Sequence, residues 1–270
     1  MNHLEIPMTL YIRLLERRIR VKGRNMAKQN IYDNETFYEG YKRIRDNKNN
    51  ANNLFEIPAL LSLLPDLKDK RILDLGCGFG EHCKMFVEDG AATVVGIDIS
   101  EKMLEVAKRE NSDDRITYLN MAMEDIGQLD MEFDLVVSSL AFHYVEDFSG
   151  VVTRIYQMLS DGGYFVFSQE NPLCTCHSGG NRWTKDENGN KLYLNLSNYG
   201  VEGERESVWF VDNVKKYHRT FSTIVNTLTE AGFFIEKMIE PLPTEELLAE
   251  HPDYKDLFHK PDFLLVKVKK

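Results

Sequence analysis

The sequence predicts an α/β protein built on a seven-stranded, mostly parallel sheet with helices on both faces. The first observation is that short apolar runs alternate with helical patterns between residues 71 and 168. The second is that these runs are continuously apolar, as in residues 133–138. Continuous apolar runs favour strands that are covered on both faces, and their spacing indicates βαβ units on a parallel sheet.

The strands and the helices between them can be placed in order along the chain. We predict strands at residues 71–75, 92–97, 116–119, 133–138, 164–168, 233–239 and 263–268. Helices 81–89 and 101–109 separate the first three strands, and Ser100 is a suitable N-cap for the second of these helices. A further helix is expected over residues 244–257, between the last two strands.

These elements divide the chain into five parts. We expect a basic extension (1–25), an N-terminal helical cap (26–64), a core (65–171), an inserted β-hairpin lid (172–216) and a segment that completes the core sheet (217–270). The insertion is polar and contains a flexible Gly179-Gly180 pair. We expect its large aromatic side chains to form an apolar pocket over the reacting group; they are Trp183, Tyr193, Tyr199, Trp209 and Phe210.

The charge distribution bears on the class of partner. The chain has a formal net charge of −10, yet residues 1–25 contain six basic and two acidic side chains, so the rest of the chain is strongly acidic. An acidic body repels phosphate backbones, and nucleic acid is therefore not an expected partner. No stretch is long and apolar enough to span a bilayer, so stable membrane insertion is not expected either.

Residues 1–25 admit two interpretations. They could form a basic helix with Leu10, Leu14 and Leu15 on one face, which would dock on an anionic surface. Alternatively they are an extension outside the folded domain, with translation starting at Met26, and we favour this second interpretation.

The cysteines indicate reduced thiols in a cytoplasmic protein. Cys77 and Cys83 lie close together, as do Cys174 and Cys176, and this spacing does not suggest a disulfide framework. Residues 174–177 place two cysteines and a histidine side by side, but they lack the usual ligand separation and a fourth partner. No metal site is therefore expected.

A glycine-rich loop follows the first strand and indicates a nucleotide-like ligand. Gly76, Gly78 and Gly80 permit a sharp turn and a close approach to the ligand, and Asp98 ends the second strand about twenty residues later. These features favour an adenosine-containing molecule. A dinucleotide site would need a third glycine where Glu81 or Cys83 stands, so an NAD(P)-dependent oxidoreductase is the less favoured alternative.

Five segments in the correct order resemble the motifs of class I S-adenosylmethionine-dependent methyltransferases. They are residues 72–80 (ILDLGCGFG), 94–104, 123–125, 133–143 and 159–167. The resemblance is closest to the small-molecule "type 11" group. It implies a Rossmann-like fold, S-adenosylmethionine as the cofactor, and methyl transfer in line to an oxygen, nitrogen or carbon atom of a small-molecule acceptor.

The same resemblance assigns roles to individual residues. Asp74 would lie near the ammonium group of the cofactor, Asp98 would accept hydrogen bonds from its ribose, and Tyr32 and Tyr41 could close over it. The remaining residues that the resemblance places around the cofactor are Gly76, Cys77, Gly78, Gly80, Ile99, Met103, Met123, Glu124, Ser138 and Ser139.

The acceptor half of the reaction is less well specified. His143 and His218 are the candidates for a general base, because a histidine can accept a proton near neutral pH. A protein that binds S-adenosylmethionine but has lost transferase activity, and acts as a regulator, is the alternative from another class. The sequence leaves the oligomeric state, the acceptor and the need for a base open.

Overall fold

The computed structural model describes residues 30–270, so the predictions for residues 1–25 and for Met26 lie outside the described residues. Eleven strands occur in this part of the chain. They are β1 Arg71–Leu75, β2 Thr93–Asp98, β3 Ile116–Asn120, β4 Phe133–Ser138, β5 Leu159–Glu170, β6 Trp183–Lys185, β7 Lys191–Leu194, β8 Gly203–Trp209, β9 Val211–His218, β10 Phe234–Ile239 and β11 Phe263–Lys269.

Seven of these strands form the central sheet, in the order β3-β2-β1-β4-β5-β11-β10. Strand β11 runs antiparallel to both of its neighbours, whereas the pairs among β1 to β5 are parallel. The mostly parallel, seven-stranded Rossmann-like sheet predicted from the sequence is therefore confirmed. Because the first five strands are parallel, their carboxyl ends meet at one edge of the sheet, where ligands bind in this architecture.

Helices cover both faces of the sheet, as predicted. They are α1 Glu35–Asp46, α2 Ile57–Leu63, α3 Glu81–Glu88, α4 Glu101–Glu110, α5 Phe148–Met158, α6 Pro172–Thr175, α7 Phe221–Glu230 and α8 Glu245–Glu250. Buried side chains of α5 and α7 pack on one face with Leu73. Those of α2, α3 and α4 pack on the other face with Ile72, because successive residues of a strand point to opposite sides.

Two predicted elements differ from the structure. The helix expected over residues 244–257 is α8 followed by a 3-10 helix at Pro252–Phe258, since a proline cannot continue the hydrogen bonding of an α-helix. Strand β5 is longer than predicted at both ends and pairs with β11 up to Glu170.

The N-terminal cap contains an irregular turn that changes which side chains face the core. A π-helical turn at Asn52–Glu56 leads directly into α2. The side chains buried in this region are Phe55, Glu56, Leu60 and Leu63. The neighbouring apolar residues Leu54, Ile57 and Leu61 are only partly buried. The extra residue of a π turn rotates the helix face and is frequent at functional sites.

The insertion consists of two antiparallel hairpins. Strands β6 and β7 form the first, and β8 and β9 form the second, whose tip is Trp209-Phe210-Val211. Strand β9 continues to His218, two residues beyond the predicted end of the insertion. Within residues 30–270, no helix is long and apolar enough to cross a membrane.

The packing around β2 predicts a stability effect. A Cβ atom on Gly96 would lie 2.9 Å from Cys83 Sγ and 3.0 Å from Cys77 Sγ, whereas one on Gly200 would meet nothing within 4 Å. We expect Gly96→Ala to lower the free energy of unfolding by about 1–3 kcal/mol through overpacking. The control Gly200→Ala should change it by less than about 0.5 kcal/mol, measured by urea denaturation. Equal effects of the two changes would show that the space around Gly96 is not restricted.

Candidate functional site

The glycine loop connects the carboxyl end of β1 to the first turn of α3. Gly76, Gly78 and Gly80 have φ angles of 73°, 54° and 78°, which disfavour side chains. Space is restricted as well, since a Cβ atom on Gly76 would lie 2.7 Å from the Ala141 side chain. The loop is held against β2 because the backbone N–H groups of Gly76 and Cys77 both donate to the Ile97 carbonyl at 2.9 Å.

Asp98 joins the glycine loop to the end of β2. Its Oδ2 accepts a hydrogen bond from the Gly78 N–H at 2.9 Å, and its Oδ1 accepts one from the Ser100 N–H at 2.8 Å. Burial raises the pKa of Asp98 to about 6, although these two N–H groups favour the ionised form. Each carboxylate oxygen can accept a further hydrogen bond, so the group can also bind hydroxyls.

Asp74 is a second buried carboxyl group at this edge. It lies in β1, 1% exposed, and accepts a hydrogen bond from the Cys83 thiol at 3.2 Å. Within residues 30–270, no cationic side chain contacts it. Burial and, to a smaller extent, the charge of Asp98 therefore raise the pKa of Asp74 to about 7. A cationic ligand group would relieve the cost of ionising it.

Two methionines flank the glycine loop. A Cβ atom on Gly78 would lie 3.6 Å from Met103 Sδ, and one on Gly76 would lie 3.0 Å from Met123 Cε. Glu124 follows Met123 in a short 3-10 helix. The Ile99 carbonyl accepts a hydrogen bond from the Asn120 side chain at 2.9 Å. These residues surround the loop and the end of β2.

The two serines at the end of β4 have different surroundings. The Ser138 hydroxyl is buried and donates to the Leu75 carbonyl at 2.7 Å, so it joins β4 to β1. The Ser139 hydroxyl donates to Oε1 of Glu56 at 2.9 Å, and Ser168 in β5 donates to the same oxygen. Glu56 was not predicted as a site residue. The sequence does contain one signal for it. Glu56 precedes Leu60 by four positions and Leu63 by seven, which is the spacing of residues on one side of a helix.

Tyr32 and Tyr41 belong to an aromatic cluster next to the glycine loop. The Tyr32 ring lies 5.2 Å from the Tyr41 ring and 6.1 Å from the Tyr144 ring, and the Tyr41 ring lies 6.2 Å from the Phe79 ring of the loop. Burial is the main cause that raises the pKa of Tyr41, and the charges of Asp98 and Glu56 raise it further. Tyr41 therefore lies in the field of both carboxylates.

The second hairpin of the insertion completes this cluster. Trp209 at its tip lies 5.2 Å from Phe37 and 6.3 Å from Tyr41, measured between ring centroids. Phe210 lies so close to α1 that a Cβ atom on Gly40 would be 2.6 Å from its ring. We call α1 together with the tip of this hairpin the lid. Lys216 of the hairpin forms an ion pair with Glu170 at the end of β5.

The start of the described chain is tied to the same edge. Asp33 accepts hydrogen bonds from the Ser100 hydroxyl at 2.6 Å and from the Lys102 N–H at 3.3 Å. The Asn30 side chain donates to the Ile99 carbonyl at 3.1 Å. No sequence pattern identified Asp33 or Tyr144, because their importance arises from contacts with distant parts of the chain.

His143 is buried beside Glu170. Its Nδ1 accepts a hydrogen bond from the Glu170 N–H at 3.3 Å, so the proton of the neutral ring lies on Nε2, 4.0 Å from a Glu170 carboxylate oxygen. Burial lowers the pKa of His143 to about 4, although the charge of Glu170 opposes this shift. This hydrogen bonding holds the neutral ring in one tautomer.

His218 is positioned by hydrogen bonds at both ring nitrogens. Its Nδ1 accepts from the Thr175 hydroxyl at 2.8 Å, and its Nε2 donates to the Tyr199 carbonyl at 2.8 Å. Both nitrogens are therefore occupied, and this arrangement connects the second hairpin to α6. It does not present a free nitrogen to a ligand.

The other aromatic residues of the insertion do not reach the lid. The Trp183 ring lies 6.0 Å from the His259 ring, Tyr199 packs on Phe221, and Tyr193 is exposed. The expectation that all five aromatics form one pocket is therefore wrong. Trp209 and Phe210 pack against Phe37 of α1, whereas the other three aromatic residues lie elsewhere. In the part of the chain that the structure describes, no three potential ligand side chains are grouped to hold a metal ion.

The chain is similar to several known proteins. A methyltransferase domain family matches residues 73–167. A protein of Haemophilus influenzae that is itself uncharacterized is 41% identical over 249 residues, which cover 90% of this chain and 98% of that protein.

Two solved structures are similar over most of the chain. An S-adenosylmethionine dependent methyltransferase from Mesorhizobium loti has 40% sequence identity and a TM-score of 0.73, and the match covers 80% of this chain and 97% of that one. A structure from Listeria monocytogenes assigned to the same class also has 40% identity and a TM-score of 0.73, with 80% and 96% coverage.

The environment of His143 predicts its titration. Because the pKa of the buried ring is lowered to about 4, the neutral form is favoured in the folded state. The resulting stabilisation is present above the ordinary histidine pKa of about 6.5 and is lost as the pH falls towards 4. We expect the His143 ring signals in NMR spectra to show no titration between pH 5.5 and 8, in contrast to those of an unfolded control peptide. A midpoint near 6.5 in the folded protein would contradict this expectation.

Proposed function

The chain belongs to the S-adenosylmethionine-dependent methyltransferase family, and we propose that it transfers the methyl group directly and in line to a small-molecule acceptor. The observation that carries the proposal is the pair of buried carboxyl groups, Asp74 and Asp98, on either side of the glycine loop. The acidic body of the chain disfavours nucleic acid as the acceptor.

These residues fit the chemical groups of S-adenosylmethionine. Asp74 would hold the ammonium group, which supplies the cation that this buried carboxylate lacks. Asp98 would accept hydrogen bonds from the ribose hydroxyls with its remaining lone pairs while keeping its two backbone donors. The glycine loop would admit the amino-acid part, with Met103 and Met123 along its sides and Ile99 and Glu124 at the adenine.

The cofactor supplies an electrophilic methyl group, so the protein is left with positioning and the exclusion of water. Alignment of the reactants alone can lower the barrier by several kcal/mol. The acceptor would bind at the carboxyl ends of β4 and β5, next to Ser139 and His143. The lid would cover both substrates, since Tyr41 and Trp209 already contact each other above the glycine loop.

His143 would orient Glu170 at this end of the sheet. Its Nδ1 accepts a backbone hydrogen bond, and its lowered pKa of about 4 keeps the ring neutral. A neutral ring with its proton on Nε2 could donate a hydrogen bond to a bound acceptor, and it would not take a proton from that acceptor near neutral pH.

Cofactor binding is expected to release protons from the aspartates. With a pKa of about 7, Asp74 is largely protonated at pH 6.5, and an ammonium group beside it favours the ionised form. Affinity should therefore rise with pH up to about 7. Calorimetry in buffers of different ionisation enthalpy should show release of up to about one proton at pH 6.5 and little at pH 8.5.

The variant Asp74→Asn separates this effect from other sources of protons. It should bind S-adenosylmethionine about tenfold or more weakly, because a hydrogen bond to a charged group contributes about 1.5–3 kcal/mol. It should also release fewer protons at pH 6.5. An unchanged proton release would show that Asp74 does not meet the ammonium group.

The lid contacts predict the lifetime of the bound product. Trp209→Ala removes two edge-to-face ring contacts, each worth about 0.5–1.5 kcal/mol. We expect isotopically labelled S-adenosylhomocysteine to dissociate several-fold faster from this variant when it is chased with an excess of unlabelled ligand. Trp183→Ala, in the first hairpin, is the matched control and should leave the rate unchanged. The same acceleration in both variants would contradict a role of the hairpin tip in covering the cofactor.

The proposed reaction is tested by identifying the methyl acceptor. The protein is incubated with a metabolite extract and S-adenosylmethionine that carries an isotopically labelled methyl group, and labelled products are detected by mass spectrometry. We expect one labelled small molecule and an equal amount of S-adenosylhomocysteine. If the label appears only in nucleic acid or protein, the proposal of a small-molecule acceptor fails.

A further inference from the structure

Glu56 is a buried carboxyl group that the donor half of the site does not use. It ends the π-helical turn before α2 and is 0% exposed. Its Oε1 accepts hydrogen bonds from the hydroxyls of Ser139 and Ser168, at the ends of β4 and β5. Its Oε2 is buried and has no hydrogen-bond partner among residues 30–270.

The hydrogen bonds around Glu56 all go to Oε1 and leave Oε2 as the oxygen that can accept a hydrogen bond from a ligand. The Ser168 hydroxyl accepts from the Leu140 N–H at 2.9 Å, so its own proton is directed to Glu56. Oε1 thus receives two donors and carries a stabilised negative charge. Burial without compensation at Oε2 raises the pKa of Glu56, even though the two hydroxyls lower it. A cationic donor at Oε2 would complete the pair.

The charges near Glu56 do not supply that cation. Arg45 in α1 is the cation that affects it, and the Arg45 guanidinium forms its ion pair with Glu81. Lys216 is paired with Glu170 instead. Tyr41 is the other titratable group whose pKa is affected by the charge of Glu56. Among the described residues, none places a charged nitrogen on Oε2.

The position of Glu56 favours the acceptor over the methyl donor. Asp74 and Asp98 lie on β1 and β2, whereas the serines that hold Glu56 lie at the ends of β4 and β5. Tyr41 of the lid lies near enough to Glu56 for the charge of this carboxylate to raise the tyrosine pKa, and a tyrosine ring can also attract cations. A buried carboxylate with one unpartnered oxygen is an environment that favours a positively charged group.

We propose that the acceptor is an amine and that Glu56 binds its nitrogen through Oε2. This rests on the proposed function. The amine arrives as an ammonium ion and gives one proton to Oε2, which frees the nitrogen lone pair. The nitrogen then forms a bond to the methyl carbon while the carbon–sulfur bond breaks and its electron pair stays on sulfur. The positive charge of the sulfonium passes to the methylated nitrogen, and Glu56 returns its proton to water.

The test compares amines with alcohols of the same shape. The protein is saturated with S-adenosylhomocysteine, and binding of three matched pairs is measured by ligand-observed NMR: butylamine with butanol, 2-phenylethylamine with 2-phenylethanol, and tryptamine with tryptophol. We expect at least one amine to bind tenfold or more tightly than its alcohol. Glu56→Gln should abolish that preference and leave the affinity for the alcohol unchanged.

Two controls keep the result specific. Glu230→Gln removes an exposed carboxylate of helix α7, outside the lid, and should preserve the preference for the amine. S-adenosylmethionine and S-adenosylhomocysteine should bind Glu56→Gln as tightly as they bind the wild type. If both bind much more weakly, Glu56 belongs to the donor site and the inference is overturned.

The remaining outcomes separate this inference from the proposed function. If no amine is preferred over its alcohol by the wild-type protein, the inference fails, and this comparison needs no variant that could misfold. If labelled methyl groups appear on an oxygen or carbon atom of a small molecule, the methyltransferase proposal stands and the amine proposal fails. If the wild type transfers no methyl group to any small molecule, the proposed function itself fails.

Discussion

Three carboxyl groups are buried at the same edge of one parallel sheet, and much of the site depends on this constraint. Asp74, Asp98 and Glu56 each lie where desolvation raises the pKa, because the apolar residues on both faces of the sheet keep water away. Backbone N–H groups and serine hydroxyls compensate part of the cost. The remaining cost of burying these carboxylates would be offset by ligand groups that carry positive charge or donate hydrogen bonds. The edge is therefore preorganised for such ligands.

The sheet order separates these carboxyl groups into two sets at neighbouring positions of the edge. Strands β1 and β2 carry Asp74 and Asp98, and the glycine loop lies between them. Strands β4 and β5 carry the serines that fix Glu56, which itself comes from the N-terminal cap. Cofactor and acceptor can therefore be recognised by neighbouring parts of one edge. The methyl group would pass between them without a large movement of the sheet.

The lid is made of segments that are distant in sequence and joined by ring contacts. Helix α1 and the hairpin tip meet through Phe37, Tyr41 and Trp209, and Asp33 ties the same region to Ser100. Such contacts are weaker than the packing of the core, so this region should open at a lower free energy than the sheet does. Opening here would admit ligands while the glycine loop and Asp98 stay in place.

The sequence by itself determined the fold class and the candidate donor residues from Asp74 to Asp98. Strand periodicity, glycine conformation and the distance from loop to carboxylate are all local, and local patterns survive in the order of residues. Only the tertiary structure brought Glu56 to Ser139 and Ser168, Tyr144 to Tyr32, and Trp209 to Tyr41. It also showed that both nitrogens of His218 are occupied. These contacts join residues far apart in the chain, so spacing could place Glu56 on the buried side of a helix but could not specify its partners.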